Sequence, residues 1–474
     1  MQPVDFTTLC AACAELRAAW LPARVEQVVQ RDRHTICLAL RTLQQRRWLT
    51  IAWHPQAARL GLEPPPPRGP DPYSFSDHLR RQLGGLALTG LDFLAPWERV
   101  LDLQFARRPG EPPRWHLYVE IIGKYSNVVL TDAQQQIACV AHQVSNRQSS
   151  VRTVQIGQTY QPPPTLLGAA PSLAEPFARW QERLALVPGP WQQQLLAVYR
   201  GLSPAIAQQM SRAAGLAPQV LVSDLSEADW QQLWQQWCYW LTCLEQEQFQ
   251  PAWTAGGYTV LGWEAARRAA TVQDLLAAYY GEHLNRQQFQ NLKHQLQQKL
   301  QAWQQKLGRK AQGFRDRLQQ SDQADDYRER ADLLMTYLHE WQPGMPSIQL
   351  LNFTTGEPVV IPLNPERNAV QNAQALYKQH QKLRRAREAV QPLLAEVEAE
   401  LRYLAQVAAS LTALERYQHP SDLEALTDIR TELIEQGYLP TPREPLPKQT
   451  HSSQPHRYQA PSGYEVWVGR NNRQ

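Results

Sequence analysis

The sequence holds 474 residues, of which 43% are hydrophobic and 19% charged, with a formal net charge of +4; these are values of a water-soluble chain long enough for several domains, each with its own core. So small an average charge excludes a uniformly basic nucleic-acid binder, and any cationic surface has to be local. No run reaches the roughly 18 apolar residues of a membrane span and the opening residues lack a basic stretch followed by an apolar core, so a cytoplasmic protein with no membrane partner is expected.

Residues 1–170 read as mixed α+β. An amphipathic helix over about 5–20 precedes the strand-like runs RVEQVVQ, HTICLAL and RWLTIAW, which the proline-rich GLEPPPPRGP ends. A helix around SFSDHLRRQLGG has Ser74 or Ser76 as its cap and Gly84-Gly85 as its stop. ALTGLDFLAP, RVLDLQFA, WHLYVEII and SNVVLTD add strands whose short connections predict a largely antiparallel sheet. After the proline stack of TYQPPPTLLGAAP, residues 171–249 turn helical. Within YRGLSPAIAQQMSRAAGL one helix ends at Gly201, Ser203 caps the next and Pro204 takes its first turn, a helix-hairpin-helix signature. PAWTAGGYTVLGW reads as a hairpin that returns to the first sheet, so that residues 250–275 complete the first domain.

Residues 276–440 predict an antiparallel coiled coil. Long Gln-, Leu- and charge-rich helices over 283–343 and 366–417 flank a β-hairpin tip near 346–363 that turns about Thr355-Gly356. Helices of 50 residues are about 75 Å long. Lys378, Lys382, Arg384, Arg385 and Arg387 cluster on the return helix, as either a solvated exterior or a phosphate-contacting face. Residues 441–462 read as a Pro- and Ser-rich linker, and GYEVWVGRNNRQ over 463–474 as the first strand of a sheet that needs a partner.

The common signatures of nucleotide, metalloprotease and hydrolase chemistry do not occur, which disfavours an enzyme. Cys10 and Cys13 have CxxC spacing without a second pair, so neither a metal nor a cofactor is expected. Two stretches look unusual. WERV places Glu98 and Arg99 between two strands, where the plain alternative is a strand-edge ion pair. EIIGKYSNVVLTD inserts Gly123, Lys124, Ser126 and Asn127 between apolar strands, either as an ordinary turn or as a cradle for phosphate.

Taken in order, ELRAAWLPARVEQVVQ, AWHPQAARL, EIIGKYSNVVLTD, AHQVSNRQSSVRTVQIGQTYQPPP, GLSPAIAQQM, TVQDLLAAYY, YRERADLLMTYL, LNPERNAVQNAQALYKQHQKLRRA and GYEVWVGRNNRQ resemble the NFACT family, also called the fibronectin-binding protein A family. The resemblance implies a first domain like the N-terminal domain of formamidopyrimidine-type DNA glycosylases. It implies that residues 463–474 enter a C-terminal RNA-binding domain that the sequence breaks off. It also implies a ribosome-associated quality control factor that binds stalled large ribosomal subunits carrying peptidyl-tRNA, contacts rRNA, and recruits tRNA, alanyl-tRNA in bacteria, for template-free tailing of the nascent chain. Peptide transfer would be the ribosome's own, with no small-molecule substrate. The glycosylase nucleophile, a proline directly after the initiator, is displaced here, because Gln2 precedes Pro3.

By the same resemblance, tRNA engagement falls on Glu98 and Arg99, the acid being Glu where the family commonly has Asp, on Gly123, Lys124, Ser126 and Asn127, and on Arg147 and Arg152. The Arg side chains are expected to fork onto phosphate. The arm cluster of Lys378, Lys382, Arg384, Arg385 and Arg387 falls to rRNA. A fibronectin-binding surface protein and a DNA-repair binder are the alternatives, the first opposed by the missing signal peptide and the second by the missing nucleophile.

Overall fold

The computed structural model describes residues 1–67, 69–165, 167–352, 355–441, 456–459 and 464–468. The described residues form two units, one up to Asn285 and one from Arg286 on.

In the first unit, Asp5 accepts a hydrogen bond from Thr8 N at 2.8 Å and so caps α1 (Phe6–Trp20). Leu9, Cys13, Leu16 and Trp20 recur at three and four and bury one face of that helix. Strands β1 (Ala23–Asp32), β2 (Thr35–Arg41), β3 (Arg46–Ala52) and β4 (Arg59–Glu63) follow, then α2 (Ser74–Leu83), then β5 (Ala87–Phe93), β6 (Val100–Ala106), β7 (Trp115–Glu120), β8 (Asn127–Asp132) and β9 (Ile137–Val140). They form one antiparallel sheet in the order β4-β3-β2-β1-β5-β6-β7-β8-β9. Alternation decides its faces: Leu101, Leu103, Leu117, Val119, Val128 and Leu130 point into the core, while Asp102 and His116 pair at 2.9 Å on the other side. Neither β4 nor β9 stood out in the sequence.

Four helices come next: α3 (Phe177–Ala185), α4 (Trp191–Val198), α5 (Pro204–Ala213) and α6 (Glu227–Glu245). Trp180, Trp191, Trp237 and Trp240 are fully buried among them. The same apolar cluster runs unbroken into α1 and the sheet, so the region expected as a separate helical domain shares its core with the sheet. The hairpin expected to rejoin the large sheet does not do so. β10 (Ala252–Trp253) pairs with β11 (Tyr258–Thr259) and β12 (Arg267–Arg268) in a small sheet of its own. Its Tyr258 and Trp263 still bury into the common core.

Helix α7 (Val272–Asp322) begins earlier than periodicity indicated, because Glu15 of α1 accepts from Val272 N at 2.7 Å and from Gln273 N at 3.1 Å. In the second unit α7 pairs antiparallel with α9 (Ala369–Ala413): Lys293 Nζ donates to Leu414 O at 2.7 Å, Arg315 meets Glu398 at 2.7 Å and Arg387 meets Asp322 at 3.5 Å. Phe289, Leu296, Leu300 and Leu307 pack with Val397, Leu404 and Leu411 along the seam. The outgoing helix is not one piece, since α8 (Ala324–Thr336) follows a break at Gln323. Hairpin β13 (Ser347–Leu351) and β14 (Pro358–Pro362) forms the tip, with Gly356 at φ +70°. α10 (Pro420–Glu435) adds a helix the sequence reading did not separate, and its Leu426, Ile429 and Leu433 close the same core.

The segment read as a linker contains β15 (His456–Gln459), which pairs antiparallel with β16 (Glu465–Val468). The terminal strand thus finds its partner upstream. The rest of 441–462 beyond residue 441, and residues 463 and 469–474, lie outside the described residues. Among the described residues no helix is long and apolar enough to cross a membrane, and no three His, Cys, Asp or Glu side chains group as metal ligands.

Candidate nucleic-acid interface

The start of β6, the β7–β8 turn and the segment after β9 surround a cavity of about 760 Å3, lined by Glu98, Arg99, Lys124, Ser126, Asn127 and Arg152 among others. Six of the eight residues singled out in the first domain therefore come together. Gly123 and Arg147 are not among the lining residues.

Glu98 and Arg99 sit where β6 begins. Leu94 N donates to Val100 O at 2.9 Å, and Glu98 N to Ala95 O at 3.3 Å, which closes a tight turn. Trp97 in that turn has φ +66°, a conformation that costs a bulky residue about 1–3 kcal/mol. Its ring is held by Phe6 at 5.0 Å and Trp240 at 5.6 Å. Arg99 O accepts from Ile121 N at 2.9 Å, so the backbone is tied to the end of β7. The Arg99 guanidinium is half-buried, and its Nη1 reaches Val4 O at 3.4 Å. Burial pushes its pKa below the ordinary value, against the opposing charges of Asp5 and Glu98. A partly dehydrated guanidinium beside a carboxylate binds a polar ligand more strongly than a fully solvated one.

The polar turn divides by role. Ser126 Oγ donates to Gly123 O at 2.7 Å and accepts from Ile122 N at 2.9 Å, which locks the single 3₁₀ turn Gly123–Tyr125. Asn127 Nδ2 donates to His142 O at 2.8 Å, and its Oδ1 accepts from His142 N at 3.0 Å. Both side chains are buried, and both build the wall instead of reaching outward. Lys124 and Tyr125 do the reverse. Tyr125 is 70% exposed with Lys124 Nζ 4.9 Å from its ring centroid, so a cation and a π-face are presented side by side at the rim.

Arg152 corrects the expectation drawn from its type. Its guanidinium forks onto Glu120, at 3.0 and 2.5 Å, and Nε donates to Gln161 O at 2.6 Å. The guanidinium also lies 5.3 Å from the centroid of the Tyr160 ring. Glu120 is 2% exposed and accepts a further hydrogen bond from Tyr160 Oη at 2.9 Å. With these partners Arg152 has no fork left for phosphate, and it anchors the segment that forms the far wall. Glu120 and Tyr160 were missed because nothing in a strand-end Glu announces a partner 32 residues later. Arg147 is exposed and has no ion-pair partner among the described residues.

In the second unit, Lys378, Lys382 and Arg385 are exposed on α9 without ion-pair partners among the described residues. Arg384 pairs with Glu388 at 3.3 Å and Arg387 with Asp322 at 3.5 Å, both exposed and weak.

Residues 5–452 match the family described as NFACT N-terminal and middle domains. The protein named Rqc2 homolog RqcH from Streptococcus pneumoniae serotype 2 is 27% identical over 469 residues, which cover 97% of this chain and 79% of that protein. Its namesake from Bacillus subtilis is 25% identical over 492 residues, covering 97% and 80%. Among solved structures, the N-terminal part of the fibronectin/fibrinogen-binding protein from Streptococcus suis aligns with 58% of this chain and 98% of its own, at a TM-score of 0.47 and 23% identity.

Proposed function

Because the chain belongs to the NFACT family, we propose that it is a ribosome-associated quality control factor that engages large ribosomal subunits still carrying peptidyl-tRNA. It recruits tRNA there for template-free extension of the stalled chain, and peptide transfer is left to the ribosome. The observation that carries this reading is the convergence of Glu98 and Arg99 with Lys124 and Tyr125 around one cavity. A carboxylate accepts from base amino groups, a cation meets phosphate, and an exposed ring stacks on an unpaired base. None of these groups is set up to break a bond in a substrate.

On this reading the first unit holds the tRNA. The α7–α9 pair is the coiled-coil arm, whose Lys378, Lys382 and Arg385 meet rRNA phosphates; Arg384 and Arg387 join them by exchanging their weak surface pairs. The experiment is sedimentation with purified large subunits, with and without peptidyl-tRNA, over a salt series. Co-sedimentation that needs the peptidyl-tRNA and weakens in Arg99→Ala is expected. Equal recovery with and without tRNA, or none at all, rejects the proposal.

A further inference from the structure

The turn of a helix-hairpin-helix presents backbone amides at a helix N-terminus, an arrangement suited to a nucleic-acid phosphate. In this chain the turn faces inward. Gly201 has φ +82°, and a Cβ there would lie 2.7 Å from Trp97 Cε3, so the turn backbone rests against the indole. Two residues on, Ser203 Oγ accepts from Ile206 N at 3.1 Å and donates to Asp5 Oδ2 at 2.5 Å. Asp5 uses its other oxygen to cap α1 at 2.8 Å. Asp5 and Ser203 are both buried, so one hydroxyl and one carboxylate join the starts of α1 and α5 in a single network.

We infer that this turn is an intramolecular clamp that sets the Glu98–Arg99 pair through Trp97, and that it does not contact nucleic acid. Trp97 is held in a left-handed conformation that a bulky side chain keeps only where its surroundings impose it. Gly201 beneath the indole, with Phe6 at 5.0 Å and Trp240 at 5.6 Å around it, imposes it. The next two residues are Glu98 and Arg99, so a change of φ at Trp97 redirects both side chains. Gly201 and Trp97 are positioning residues. Where RNA affinity is the readout, the inference rests on the function proposed above.

The test uses the full chain and five variants: Gly201→Ala, Trp97→Ala, their combination, Trp97→Phe and Arg99→Ala. Binding of deacylated tRNA is measured by fluorescence anisotropy, folding by thermal melts, and site geometry by hydrogen exchange at the Ile121 amide, which donates to Arg99 O at 2.9 Å. Gly201→Ala and Trp97→Ala should each weaken tRNA binding about tenfold, the double variant should be no weaker than either, and Trp97→Phe should stay within about twofold. Exchange at Ile121 should quicken in the first two and in their combination. Multiplying effects in the double variant, or weakened binding with unchanged Ile121 exchange, would mean that the turn touches RNA itself and would overturn the clamp. Should Gly201→Ala fail to fold, unchanged Ile121 exchange in Trp97→Ala overturns it equally. If Arg99→Ala binds tRNA normally while Ile121 exchange responds to Trp97→Ala, the clamp stands and the proposed function falls.

Discussion

Replacing Arg152 by Met removes a guanidinium and keeps most of the side chain's length. The Glu120 carboxylate is then stranded, 2% exposed, with one hydrogen bond left from Tyr160 Oη at 2.9 Å in place of the lost pair at 3.0 and 2.5 Å. Breaking a buried pair from one side costs about 3–5 kcal/mol, because the remaining charge is neither hydrated nor compensated. Little discount for solvent screening applies, since the two side chains are 13% and 2% exposed. At about 2.1 cal/mol/K of unfolding entropy per residue, in a unit that runs to Asn285, that corresponds to a melting temperature lower by roughly 5–8 °C. Adding Glu120→Gln removes the stranded charge and should recover more than half of the loss. Urea denaturation followed by circular dichroism measures all three differences. Binding of tRNA should weaken in Arg152→Met through the displaced wall while the slope of log affinity against log salt stays the same, as Arg152 neutralises no phosphate. A stability loss under about 1 kcal/mol, or no recovery on adding Glu120→Gln, would refute the anchor.

Lys124→Ala and Arg147→Ala should each lower that salt slope by about 0.7–0.9, which a binding titration from low to high salt reads directly. Burial, and secondarily the neighbouring His54, lowers the pKa of His34; burial also lowers that of His54. The unfolded chain then binds protons more readily than the folded one, so stability is full above the unfolded value of about 6.5 and falls as pH drops below it. Melts at neutral and mildly acidic pH should show this fall, and His34→Gln/His54→Gln should reduce it. Leu404, fully buried between α7 and α9, should cost about 2–5 kcal/mol on conversion to Ala, measured by denaturant unfolding. Lys293→Met removes the donor to Leu414 O and Glu415 O at the end of α9 and should cost about 1 kcal/mol in the same assay.

What was legible in the sequence was what short-range rules decide. Ser203 and Pro204 at α5 and Thr355-Gly356 between β13 and β14 stand as read, because such caps and turns are settled within four residues. The strand runs stood out because alternation is local too. β9 was missed because it is only four residues long, and β4 because it leads straight into the proline stretch taken for a breaker. Of the eight positions picked by residue type in the first domain, six line one cavity, and three of those six have their polar side-chain atoms engaged within the chain. Ser126, Asn127 and Arg152 look like ligand contacts in one dimension, and in the folded chain their polar atoms are taken up by Gly123, His142 and Glu120.

The sequence by itself determined the element types, the antiparallel pairing of neighbours, the family and the list of candidate side chains, since periodicity, turn chemistry and motif order are properties of nearby residues. The tertiary structure decided which candidates are free. Whether a guanidinium can meet a phosphate depends on whether a carboxylate distant in the chain has claimed it, as Glu120 claims Arg152. Whether a helix-hairpin-helix turn can face a nucleic acid depends on whether an indole already covers its glycine, as Trp97 covers Gly201. Both are settled by long-range packing, in which a buried polar group takes whatever partner the fold brings to it, and no local pattern encodes that partner.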